Sequence, residues 1–185
     1  MAQIESNFTC PWWLLFTFDN PMRKLIHNPN KILKPYVSAG NTVLDVGCGM
    51  GYFSLELARL VSPTGKVIAA DLQPQMLAGL DKRARKAGVQ HMIQPHLCTP
   101  SIIGMAEPVD MIFAFWMVHE VSNRKAFLQE LYTLLKPDGI LLIVEPVIHV
   151  SRRSFEETLE ICITLGLYDM VYPHVSFSRA VVFQK

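Results

Sequence analysis

The sequence predicts an α/β fold, a mostly parallel sheet covered by helices within one domain. Short β-branched runs alternate with segments of helical periodicity along most of the chain. Half of the 185 residues are hydrophobic and 18% are charged, the balance of a well-packed globular protein. That length suits one core without a second full domain.

The elements follow in order. NTVLDVG supplies the first strand, Thr42 to Val46, and GYFSLELARLV then sets Phe53, Leu57 and Leu60 on one helical face. GKVIAAD is the second strand and ends at Asp71. Pro74 stands where a first helical turn tolerates a missing N–H, and the amphipathic helix that follows runs to about Ala87, where Gly88 stops it. A weaker strand, from about Met92 to Leu97, precedes the loop CTPSIIGMAEP. The continuous apolar run from Val109 to Phe115 suits a central strand buried on both faces. The next helix begins near Ser122 or Asn123, places Ala126, Phe127, Leu131, Leu134 and Leu135 at core-facing spacing, and ends before KPDG. GILLIVEP is a fifth buried strand, and a helix covers about Phe155 to Leu165. The tail LYDMVYPHVSFSRAVVFQK reads as two strands joined by a loop at Pro173 and His174. Met1 to about Tyr36 forms a small extension in front of the first strand.

Composition excludes several classes. A net charge of +1 lacks the excess of Lys and Arg that duplex nucleic-acid binding requires, and the cluster Lys82, Arg83, Arg85, Lys86 reads first as the solvated face of a helix. The four cysteines, Cys10, Cys48, Cys98 and Cys162, form no C-x-x-C pair, so no metal centre or disulfide framework is expected. The apolar run around Trp12 to Phe18 is broken by Asp19 and no charged segment precedes it, which argues against a signal peptide or membrane span. A cytoplasmic protein is expected.

The stretch DVGCGMG, Asp45 to Gly51, carries the chemistry. A glycine turn between a strand and a helix lets backbone N–H groups approach a ligand. Asp45 lies in the strand before the turn, and Asp71 ends the next strand about twenty residues on, where a carboxylate can accept both ribose hydroxyls. A dinucleotide fingerprint would need a third glycine where Tyr52 stands, and Asp45 would repel a pyrophosphate. An aminoacyl nucleoside with an ammonium group suits this acid better.

These residues resemble the class I S-adenosylmethionine-dependent methyltransferases. VLDVGCGMGYFS is similar to the family's first motif, VIAADLQPQML to its second, PVDMIFAFWMVHEV to its fourth-strand motif, and LLKPDGILLIVEP to the segment entering its fifth strand. The resemblance covers about Asn30 to Lys185. It implies a Rossmann-like, doubly wound, mostly parallel seven-stranded sheet with a C-terminal antiparallel hairpin at its edge, and a cofactor-binding domain over residues 37–185 behind the extension of residues 1–36. It also implies S-adenosyl-L-methionine as cofactor. Asp45 with Gly47, Cys48, Gly49 and Gly51 would hold the methionine portion, and Asp71 the ribose. Leu72 and Met76 would flank the adenine, though both serve equally as plain core. The backbone near Ala114 and Phe115 would reach the adenine amino group. Cys98 stands where many relatives carry an acid or asparagine, so it would line the pocket through its backbone. Phe115 replaces the Asn- or Asp-Pro-Pro-aromatic motif of enzymes that methylate adenine or cytosine, which argues against those substrates.

Methyl transfer from a sulfonium is an in-line displacement that depends chiefly on positioning. A base is needed only where the acceptor must lose a proton, and His119, after the fourth strand, is the candidate, although it reads first as a histidine bonded at a helix start. Trp12, Trp13, Phe16 and Phe18 make the extension a candidate lid, a packing element or a homodimer contact. With Cys10, the thiols Cys48 and Cys98 also permit a metalloid site, a weaker reading because Cys48 suits the glycine turn. The expected substrate is a small apolar or aromatic molecule; the alternative is a protein that binds the cofactor or its product without catalysis.

Overall fold

A computed structural model describes residues 21–100 and 102–185. The aromatic run from Trp12 to Phe18 and Cys10 lie outside the described residues. In chain order the elements are α1 (Pro21–Ile26), α2 (Pro29–Leu33), β1 (Thr42–Val46), α3 (Ser54–Val61), β2 (Lys66–Asp71), α4 (Pro74–Ala87), β3 (Ile93–Leu97), β4 (Val109–Phe115), α5 (Arg124–Leu134), β5 (Leu135–Pro146), α6 (Arg152–Thr164), β6 (Tyr168–Val171) and β7 (Ser178–Gln184). Short 3₁₀ turns stand at Gln90–Met92 and Val118–Glu120.

The strands form one sheet in the order β3-β2-β1-β4-β5-β7-β6. β3 through β5 run parallel, while β7 is antiparallel to both β5 and β6. The chain winds outward from β1 to β3, then returns to β4 on the other side of β1. That reversal opens a crevice beyond the carboxyl ends of β1 and β4, the place where such sheets bind ligands.

Alternation along the strands divides the interior into two layers. Val43, Val67, Ala69, Met111 and Phe113 pack with Leu57, Ala58 and Leu80 from α3 and α4. Leu44, Val46, Ile68, Ile112 and Ala114 pack with Leu128, Leu131 and Cys162 from α5 and α6. By the same alternation Asp45 and Asp71 share the α3 and α4 side, and Glu145 shares the other with Leu141 and Ile143.

Local details differ from the sequence reading in three places. α3 buries Ser54, Leu57, Ala58 and Val61, with Leu60 only half-buried and Phe53 at the N-cap. α5 buries Leu128 beside Phe127, and Ala126 is exposed. KPDG lies inside β5, where the pairing slips between Val109↔Leu135 and Met111↔Ile140 and Asp138 takes a left-handed φ of 62°.

Candidate active site

The turn after β1 is bare for steric reasons. Gly47, Gly49 and Gly51 have φ of 69°, 54° and 83°, a region that strains any residue bearing a Cβ. A Cβ on Gly47 would lie 3.1 Å from Cβ and Cγ of Met117, and one on Gly51 would lie 2.1 Å from Cδ1 of Leu80. The turn is tied to β2 by the N–H groups of Gly47 and Cys48, which donate to the Ala70 carbonyl at 2.9 and 3.0 Å. Cys48 is buried, and its thiol donates to the Gly49 carbonyl at 3.5 Å.

Two buried carboxyls bracket this turn. Asp45 is 2% exposed and accepts the Ser54 hydroxyl on Oδ2 at 2.5 Å. Burial pushes its carboxyl up to about 7; the Ser54 bond opposes the rise, the Asp71 charge adds to it and Arg23 subtracts. Asp71 accepts the Gly49 N–H on Oδ2 and the Gln73 N–H on Oδ1, both at 2.9 Å. Burial raises its carboxyl also, against the hydrogen bonds from Gln73, Gly49 and Leu72. The Gln73 bond is an Asx turn that launches α4. A carboxylate offers about four lone-pair sites, so these backbone bonds leave acceptor capacity on Asp71.

This arrangement fits an aminoacyl nucleoside. A phosphate would face two carboxyls, whereas an ammonium would relieve the burial of Asp45 and two ribose hydroxyls could complete Asp71.

The remaining predicted residues are distributed around this pair. Leu72 is half-buried in the turn before α4, and Met76 is packed inside at 1% exposure. The Cys98 N–H donates to the Asp71 carbonyl at 3.1 Å, joining β3 to the same corner. Burial and the Asp71 charge push the Cys98 thiol up to about 11, so it is neutral near pH 7. Phe115 stacks on Trp116 with centroids 5.2 Å apart and also meets Phe53, Phe113 and the edge of His27.

His119 stands in the 3₁₀ turn after β4, two residues beyond the Met117 that abuts Gly47. Its Nδ1 lies 2.6 Å from Oε2 of Glu145, which is 2% exposed, and Oε1 of Glu145 accepts the Val118 N–H at 3.0 Å. Burial lowers the imidazole, but the Glu145 bond and charge, with Glu120, hold it above its ordinary value despite Arg124.

Sequence reasoning passed over Glu145 and Trp116. An acid at the end of the apolar run ILLIV was the available signal for Glu145. Trp116 has no comparable sequence signal: its φ of 57° is a conformation that a bulky side chain adopts only under constraint. Its N–H donates to the Val144 carbonyl at 2.7 Å and its indole N–H to Oγ of Ser178 at 2.9 Å. The bend so fixed turns the chain toward the Met117 contact.

The described end of the extension borders the same region. The Arg23 guanidinium lies 4.3 Å over the Tyr52 ring, and the Tyr52 hydroxyl donates to the His27 carbonyl at 2.9 Å. His27 is 4% exposed, with Nε2 2.8 Å from the Ser176 carbonyl.

A doubly wound sheet with a reversed β7, a glycine turn after β1 and an acid ending β2 defines a class I S-adenosylmethionine-dependent methyltransferase. A family described as a methyltransferase domain matches residues 37–165, and the chain belongs to it. A demethylmenaquinone methyltransferase of Lactobacillus johnsonii is 31% identical over 126 residues, which are 64% of this chain and 52% of that protein. A ubiquinone/menaquinone biosynthesis C-methyltransferase of Klebsiella pneumoniae is 28% identical over 124 residues, 65% of this chain and 49% of that one. The chain thus spans about half the length of these curated relatives. The crystal structure of a SAM-dependent methyltransferase from Aquifex aeolicus superposes with a TM-score of 0.85 at 27% identity, covering 95% of this chain and 99% of that one.

Proposed function

We propose that the protein transfers a methyl group from S-adenosylmethionine to a small hydroxyarene, with Asp45, Asp71 and the Gly47 to Gly51 turn as the cofactor cradle. The two buried carboxyls around a bare backbone carry this reading. The donor, when bound, supplies an electrophilic methyl carbon on a positively charged sulfur. Asp45, lowered by a neighbouring ammonium, anchors the amino acid end, and Asp71 anchors the ribose. Leu72 and Met76 border the adenine, Cys98 lines the pocket through its backbone, and the backbone at Phe115 meets the amino group.

Two observations support an aromatic acceptor: the half-buried Trp116, stacked on Phe115 at the end of β4, and the quinone names carried by the two curated relatives. His119 takes the proton that the acceptor loses. The acceptor forms its bond to the methyl carbon as the carbon–sulfur bond breaks with its electron pair on sulfur, leaving neutral S-adenosylhomocysteine and protonated His119. The described end of the extension borders this side: Arg23 and His27 pack on Tyr52 and Phe115.

Calorimetry with S-adenosylhomocysteine tests the cradle. Asp71→Ala weakens binding by about 1.5 to 3 kcal/mol, the scale of hydrogen bonds to a charged group. Wild-type affinity in that variant overturns the ribose assignment.

A further inference from the structure

His119 and Glu145 are brought together from different elements, 26 residues apart, at the carboxyl ends of β4 and β5. Three features make this pairing more than packing. Glu145 lies almost wholly inside the protein, where a carboxylate is costly unless both oxygens are satisfied. Its Oε1 is satisfied by the backbone N–H of Val118, which fixes the carboxylate beside the turn carrying His119. Its Oε2 is then left for Nδ1 of His119 at 2.6 Å, a length typical of a charge-assisted bond. Against a carboxylate acceptor, Nδ1 carries the proton, so the lone pair of the neutral ring is confined to Nε2. The His119 side chain is 21% exposed, so the imidazole is reachable while its partner is not.

We propose that Glu145 is a positioning residue for methyl transfer, holding His119 in the tautomer and orientation in which Nε2 receives the acceptor's proton. This rests on the reading of His119 as the base. The Val118 bond makes the device rigid: the carboxylate, the turn and the imidazole are fixed by one buried group. The charged and titratable groups facing His119 are Glu145 from β5, Glu120 from its own turn, Arg124 from α5, and His149 from the loop after β5, whose ring is stacked 6.1 Å away. Glu145 and Glu120 favour the imidazolium, and burial and Arg124 disfavour it. The neutral base is available above the pKa of His119, so methyl transfer rises with pH through that value. Removing the Glu145 charge moves the rise to lower pH while weakening the base.

The test compares wild type, Glu145→Gln, His119→Ala and the double variant, with S-adenosylmethionine and 1,4-dihydroxynaphthalene as the acceptor probe. Glu145→Gln keeps the side-chain shape. It is expected to lower plateau kcat at least tenfold, to shift the acid limb of kcat/KM downward, and to leave affinity for S-adenosylhomocysteine within twofold. In the His119→Ala background the same substitution is expected to cost nothing further, the mark of two residues acting as one unit. An unmoved acid limb, or a full additional loss in the double variant, overturns the positioning role. Nitrogen-15 spectra of the histidine rings read the pairing without turnover. The Nδ1–H tautomer of His119 in wild type supports the pairing, and an Nε2–H tautomer overturns it. Absence of S-adenosylhomocysteine binding by the wild type would refute the cofactor cradle instead, and the two failures are thereby told apart.

Discussion

Asp45 is the acid of a strand otherwise made of Thr42, Val43, Leu44 and Val46, and its burial gives it a measurable signature. A carboxyl raised from its ordinary 3.8 to about 7 keeps its proton in the ligand-free fold below neutral pH. Its contribution to stability is present below the ordinary value and is lost as pH rises through about 7, roughly 4 kcal/mol across that window. An ammonium placed beside it reverses the preference, so binding must expel the proton. Calorimetry of S-adenosylhomocysteine binding in buffers of different ionisation enthalpy should therefore read a proton release that is larger at pH 6 than at pH 8. No proton release at pH 6 would place the ammonium elsewhere. The two aspartates stood out in the sequence by their places around the glycine turn, one inside the strand before it and one ending the next. Glu145 also ends an apolar run, yet its partner, His119, is distant in sequence and only the β4–β5 pairing brings them together.

The glycine turn shows how an element was legible to different depths. Three glycines at alternate positions announced a backbone open to a ligand, but only the packing of α4 reveals why Gly51 admits no side chain. Gly51→Ala would press a methyl against Leu80, which is fully buried, in a left-handed conformation. We expect a loss of about 2 kcal/mol and a fall in Tm on the order of 5 °C, measured by thermal denaturation. An unchanged Tm would mean that α4 yields readily. α4 itself was read to the residue because Pro74 opens it and Gly88, with φ of 71°, closes it. β5 was read four residues short, since Lys136, Pro137, Asp138 and Gly139 spell a turn and the bulge that absorbs them depends on β4. Ala126 was placed on the core face of α5 and Leu128 was left out for a related reason: helical periodicity gives the width of an apolar face, and the sheet beneath sets its direction.

At the scale of the molecule, the order β3-β2-β1-β4-β5-β7-β6 places the glycine turn, Asp71, the aromatic end of β4 and the His119–Glu145 pair at the carboxyl ends of neighbouring strands. The alternation of strand and helix patterns made the parallel part legible, and the family resemblance supplied the reversed edge. The acceptor side was less legible because it is assembled from α1, β4, β5 and the segment before β7, which are distant in sequence. Among the described residues no helix is long and apolar enough to cross a membrane. The most direct measurement follows labelled methyl from S-adenosylmethionine to 1,4-dihydroxynaphthalene while S-adenosylhomocysteine is counted. One S-adenosylhomocysteine is expected for each methylated arene, with Asp71→Ala and His119→Ala both slowed. Tight binding of S-adenosylmethionine without methyl transfer to this or any other hydroxyarene would contradict the proposed function.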